Sequence, residues 1–114
     1  MLTRDDVRKI ALAQPEAYEA DHHGVPSFRV GTKIFCTLHL DRPRLVVKFD
    51  PEDQRNLAED DPAAIEPNPG YWGRNGWTYI WYERVDAKRL AGLLRMAWAG
   101  VAPKKLLKAH SGDA

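Results

Sequence analysis

Five basic side chains fall inside one alternating stretch. Between Ser27 and Lys48 lie Arg29, Lys33, Arg42, Arg44 and Lys48, set against a single acid, Asp41. The next segment, Asp50 to Glu66, reverses the sign, with seven acids against one base, Arg55. A positive segment beside a negative one can steer an anionic partner, although solvation and internal pairing explain each charge taken alone. The other chemically loaded stretch is Gly70-Tyr71-Trp72-Gly73-Arg74-Asn75-Gly76-Trp77. Tyr, Trp and Arg are the residue types enriched at binding hot spots. Arg29, Lys33, Arg44, Lys48 and Arg74 are therefore candidate phosphate contacts, with Trp72 and Trp77 as candidate stacking surfaces. Phosphate contacts give affinity without sequence choice, and aromatic stacking suits unpaired bases. The plainer alternative is a solvated sheet face for the cations and a core anchor beside Gly76 for Trp77.

Catalytic and metal chemistry find less support. No G-x-S-x-G, Walker loop, G-x-G-x-x-G or H-E-x-x-H is present. Ser27 and Ser111 are the only serines. Cys36 sits on an apolar row and reads as a small core hydrophobe rather than a nucleophile. Asp21-His22-His23 is the nearest approach to a ligand cluster. Adjacent strand residues point to opposite faces, so both imidazoles do not easily reach one ion, and a tetrahedral site wants about four ligands. Neither metal nor cofactor is expected. A cleft joining a histidine to a carboxylate, from among Asp21, His22, His39, Lys48 and Asp50, would be needed to support an enzyme.

The elements that must position these residues are legible in part. Ile34, Cys36, Leu38 and Leu40 alternate with Lys33, Phe35, Thr37 and His39; Leu45, Val47 and Phe49 alternate with Arg44, Val46, Lys48 and Asp50. Such period-2 patterning marks strands with one buried face. A four-residue link, Asp41 to Arg44, would pair Leu40 with Leu45, Leu38 with Val47 and Cys36 with Phe49. The preceding turn is ambiguous. Gly31-Thr32 suits a two-residue II′ hairpin that pairs Phe28 with Phe35. The apolar pattern instead wants a three-residue loop, with Phe28 and Val30 aligned with Cys36 and Ile34. Phe28 and Phe35 are core in one register and an exposed aromatic pair in the other.

Around this meander, Thr3 and Asp6 form a shortened capping box before a helix carrying Val7, Ile10 and Ala11, which Pro15 ends near Ala13. Ala17 to His23 reads as an edge strand. Asp50-Pro51-Glu52-Asp53 opens a short helix to about Glu59. Ala63 to Pro69 is extended, the 70–76 stretch is a loop, and Trp77 to Glu83 is an aromatic strand. Asp86 caps a long helix with Leu90, Leu93, Leu94, Ala97, Trp98 and Val101 on one face. Lys104 to His110 makes a last short helix. The order implies an α+β two-layer sandwich, an antiparallel sheet of about five strands with helices on one face.

At 114 residues the chain suits a single domain, residues 1–110, with a frayed tail at 111–114. One cysteine excludes an internal disulfide and fits a reducing compartment. With no long apolar run, the expectation is a cytoplasmic protein that engages no membrane. A net charge of +1 argues against a strongly basic nucleic-acid binder.

Taken together, Pro26-Ser27-Phe28-Arg29-Val30-Gly31-Thr32-Lys33-Ile34-Phe35, Val46-Val47-Lys48-Phe49-Asp50-Pro51, Gly73-Arg74-Asn75-Gly76-Trp77 and Ala102-Pro103-Lys104-Lys105 resemble the MmcQ/YjbR family over nearly the whole chain. The resemblance implies an α+β fold similar to bacterial frataxins, also described as a double-wing DNA-binding fold, and a DNA-binding role. Iron binding is not carried over. The first helix has only Asp5 and Asp6 as acids, against Arg4, Arg8 and Lys9. The leading expectation is a nucleic-acid (DNA)-binding protein using a basic sheet face, with DNA or another anionic partner. The alternative is a non-catalytic protein- or small-ligand-interaction module anchored on the Tyr71–Trp77 loop. An enzyme is the least supported of the three.

Overall fold

The computed structural model describes residues 1–112. Six strands form one antiparallel sheet in the order β1-β2-β3-β4-β6-β5. They are β1 (Tyr18–His22), β2 (Val25–Val30), β3 (Lys33–Leu38), β4 (Arg44–Lys48), β5 (Ile65–Pro67) and β6 (Trp77–Trp81). The helices are α1 (Arg4–Leu12), α2 (Pro51–Asp60), α3 (Gly70–Arg74), α4 (Ala87–Ala99) and α5 (Lys104–Ala109), with a 3-10 turn at Tyr82–Arg84. The sixth strand, β5, comes from the Pro-rich segment expected to be merely extended. Its three residues pair with β6 and edge the sheet.

Local chemistry explains the helix ends. The Thr3 hydroxyl accepts from the Asp6 amide at 3.2 Å, and the Asp6 carboxylate accepts from the Thr3 amide at 2.8 Å. Hydrogen bonding of the carboxylate to the Thr3 amide, and then to the Thr3 side chain, holds the Asp6 carboxyl below its usual range. Asp50 caps α2 by accepting from the Glu52 amide, with Pro51 at the first helical position. Asp86 caps α4 through the Arg89 amide.

Helices α1 and α4 pack on one face of the sheet. There Phe28, Val30, Cys36, Leu38, Leu45, Val47 and Ile80 are each 1% exposed or less. Val7 and Ala11 of α1 and Leu90, Leu93, Leu94, Ala97 and Trp98 of α4 close the core from above. Helix α2 is fastened to the same side. Gln54 Nε2 donates to Thr78 Oγ1 and to the Trp77 carbonyl, both at 3.0 Å. Two of these partners are buried polar side chains, satisfied by one another and by the backbone.

The first hairpin reconciles the two registers. Val30 pairs with Lys33 across Gly31-Thr32, and Gly31 has φ +60°, as a II′ turn requires. Two residues on, the register shifts. Arg29 faces Ile34 while Phe28 faces Cys36, so Phe35 is an extra residue in β3. Turn chemistry decides the loop and the bulge restores the apolar alignment. Both phenylalanines are core, at 0% and 1% exposure. The cost falls on Ile34, which leaves the expected core row and is half-buried opposite Arg29.

The second link also differs from expectation. Leu38 pairs with Leu45 and Cys36 with Val47, a two-residue displacement that lengthens the loop. A shift of two preserves the buried face, so the alternation is equally satisfied. Leu40 is the residue left over; it lies in the loop, 45% exposed, where its carbonyl accepts from Arg4 at 2.7 Å. The strand at Trp77 stops at Trp81 rather than Glu83, and the 70–76 loop contains the short helix α3. Ser111 and Gly112 form a turn after α5. The rest of the expected tail, residues 113–114, lies outside the described residues. Among the described residues no helix is long and apolar enough to cross a membrane.

Candidate nucleic-acid interface

The sheet face opposite α1 and α4 carries Ser27 and Arg29 of β2, Ile34 and Thr37 of β3, Arg44, Val46 and Lys48 of β4, and Trp77, Tyr79 and Trp81 of β6. The pairings Arg29↔Ile34, Thr37↔Val46, Lys48↔Trp77, Val46↔Tyr79 and Arg44↔Trp81 set them side by side. Most of these residues are half-buried and Lys48 is exposed.

At one end of this face an open groove of about 950 Å³ is lined by Arg29, Lys33, Lys48, Arg74 and Trp77. Four of the five predicted cations and one of the two predicted stacking rings therefore share one concavity. Its floor and rim also include His22, Ile34, Asp50, Asn75 and Val101. Lys33, Lys48 and Arg74 make no ion pair or side-chain hydrogen bond among the described residues. The Lys48 Nζ lies 6.0 Å from the centre of the Trp77 ring. Arg29 is more constrained. Its Nε donates to Ser27 Oγ at 3.0 Å and its second guanidinium nitrogen to the Asp21 carbonyl at 3.2 Å.

Two glycines make the groove possible. A Cβ on Gly76 would fall 1.9 Å from the Phe49 carbonyl oxygen, and one on Gly73 would fall 1.8 Å from that of Asn68. Only residues without a side chain permit such approaches. The Phe49 amide donates to the Gly76 carbonyl at 2.9 Å. The turn bearing Arg74 and Trp77 is thus pressed against the β4–α2 junction bearing Lys48 and Asp50. Asn75 Nδ2 donates to the Tyr71 carbonyl at 2.8 Å and closes α3.

The remaining candidates lie elsewhere. Arg44 is four residues from Lys48 along β4, about 13 Å at strand rise, so it does not reach the groove. Its Cζ sits 3.8 Å from the centre of the Tyr79 ring and 5.4 Å from that of Trp81, and its Nε donates to His39 Nδ1 at 2.8 Å. Burial, then the neighbouring guanidinium, lowers the His39 pKa, so the neutral ring is the favoured acceptor. Trp72 stands outside the groove lining with its ring centre 6.2 Å from that of Trp77. Tyr71 continues the series at 5.6 Å from Trp72.

His22, one of the residues named for a histidine–carboxylate cleft, is a half-buried groove residue whose ring meets His23 edge to face at 4.6 Å. His22 and Asp50 share the groove, yet no hydrogen bond or ion pair joins them among the described residues. Asp50 Oδ1 is engaged by the Glu52 amide. Cys36 is fully buried, and that burial pushes its thiol pKa well up.

Residues 12–99 match the YjbR family model. The chain belongs to the YjbR family. A solved structure of a YjbR-like fold, the Deinococcus radiodurans protein DR2400 with a DUF419 domain, is similar at a TM-score of 0.76 and 24% identity. That likeness covers 97% of this chain and 89% of that chain, and it bears on the fold alone. A search of curated proteins finds no match. Three of the four motifs that suggested YjbR membership correspond to the first hairpin, the β4–α2 junction and the α3–β6 turn, and residues of these three line the groove; the fourth, Ala102 to Lys105, does not.

Proposed function

We propose that this YjbR protein binds nucleic acid, DNA included, by seating the phosphate backbone in the groove between the first hairpin and the α3–β6 turn. The observation that carries the reading is the convergence of Arg29 and Lys33 of the first hairpin, Lys48 of β4 and Arg74 of α3 beside Trp77. Bringing like charges together costs free energy in the free protein, and a polyanion relieves it. The single groove acid, Asp50, is occupied as a helix cap. Contacts of this kind fix affinity and position rather than base sequence. Neither metal nor cofactor enters the proposal. Cytoplasmic residence belongs to it, since the lone, buried Cys36 suits a reducing compartment.

The test is titration of a fluorescently labelled oligonucleotide, read by anisotropy. Charge reversal at Lys48→Glu and Arg74→Glu should weaken binding at least about tenfold. Each lost contact also becomes a repulsion. Lys88→Glu, on α4 and away from the groove, should leave binding unchanged. Equal losses in both variants would show that net charge, not the groove, is responsible.

The exposure of Tyr71 (64%) and Trp72 (58%) favours a second reading, a non-catalytic docking module for a protein or small ligand. Under that reading Tyr71→Ala and Trp72→Ala abolish partner capture while oligonucleotides fail to bind the parent protein.

A further inference from the structure

Resting on the nucleic-acid reading above, we infer that the occupant is an unpaired strand whose bases stack along the Trp77–Trp72–Tyr71 series. The three rings meet edge to face, with interplanar angles of 76° and 78°. Trp77 forms a wall of the groove, and the other two carry the aromatic surface outward from it. More than half of the Trp72 and Tyr71 surface is open to solvent. The backbone that carries them is nevertheless anchored. Gly73 and Gly76 lock the turn against neighbouring backbone, and Asn75 ties back to the Tyr71 carbonyl. Large rings on an anchored backbone offer contact area with less chain to order on binding.

Cations are interleaved with this surface. The Lys48 ammonium lies 6.0 Å from the Trp77 ring centre, and Arg74 is two residues from Trp72 on the same short helix. A nucleotide stacked on Trp77 therefore keeps its phosphate within reach of Lys48. A duplex presents phosphates and groove edges to such a surface, with its base faces already stacked on one another, so the rings gain nothing. An unpaired strand offers the rings base faces that a duplex keeps stacked.

The experiment compares three probes of about 12 units, within the range one small domain covers. They are a thymidine strand, an abasic strand of equal charge, and a duplex. The thymidine strand should bind at least about tenfold more tightly than the abasic strand, the ratio expected for one or more stacked bases. It should also bind more tightly than the duplex. Trp72→Ala and Tyr71→Ala should each weaken thymidine binding several-fold and leave abasic binding unchanged. Both side chains are exposed, so the fold persists, which circular dichroism checks. Abasic or duplex binding as tight as thymidine binding would overturn the stacking inference and leave the phosphate groove standing. Failure of all three probes to bind would overturn the nucleic-acid reading itself.

Discussion

Gly76 and Phe49 touch backbone to backbone: a methyl group on Gly76 would sit 1.9 Å from the Phe49 carbonyl oxygen. This contact brings β6 beside the end of β4 and so sets Trp77 next to Lys48. Gly76→Ala meets both that clash and a φ of +94°. The left-handed backbone alone costs an L-residue about 1–2 kcal/mol, and the carbonyl must also move. A loss of about 3 kcal/mol or more is expected in urea unfolding. Gly24→Ala supplies the comparison. Its φ is +88°, with nothing within 4 Å of the added carbon, so it should show only the smaller, conformational loss.

Phe35 is the inserted residue of the β3 bulge and is 1% exposed. Phe35→Ala should destabilise by about 3–5 kcal/mol, as expected for a buried aromatic truncated in a closed core. Half-buried Ile34 should cost under about 2 kcal/mol on the same substitution. The opposite ranking in denaturant melts would mean that the bulge does not form in solution.

His39 makes stability depend on mildly acidic pH. Its folded-state pKa lies below the ordinary histidine value, because burial and then Arg44 disfavour the charged ring. The fold therefore prefers the neutral form. That contribution is complete above the ordinary value and is lost as pH falls through the lowered one. Between pH 7.5 and about 5, the protein should lose more stability than His39→Asn, measured by chemical unfolding at each pH. The capping carboxylate of Asp6, lowered from its ordinary range, loses its contribution only at still more acid pH.

Cys36 should be chemically silent. Full burial raises its thiol pKa, so the thiolate is scarce and screened from reagent. A thiol-specific chromogenic reagent should label the native protein only at the rate of unfolding and label the urea-unfolded chain at once. Fast labelling under native conditions would place Cys36 at the surface.

Much of this was legible because it is local. Thr3 with Asp6, Asp50 with Pro51, and the leucine stripe after Asp86 each specify a helix through neighbours within one or two turns. The meander's buried face was legible for the same reason. Its registers were not. Period-2 alternation is blind to a shift of two, so Leu38 pairs with Leu45 where Leu40 was expected. At the first hairpin, turn and apolar pattern disagreed, and an extra Phe35 satisfies both at the expense of Ile34. The site shows the same division. The residue types were readable, but their assembly depends on β4 pairing with β6 across a 28-residue gap between Lys48 and Trp77. The pairing brings Lys48 to Trp77 and leaves Arg44, an equally plausible cation on the same face, stacked on Tyr79 at the far end.

The most direct test of the phosphate groove is the salt dependence of oligonucleotide binding. Three to four groove cations predict a slope of log K against log salt of about −2 to −3 on a single strand. In the triple variant Lys33→Ser, Lys48→Ser, Arg74→Ser the slope should flatten by about 2. A parent protein whose binding ignores salt, or a triple variant whose slope matches the parent, would contradict the groove as the site of binding.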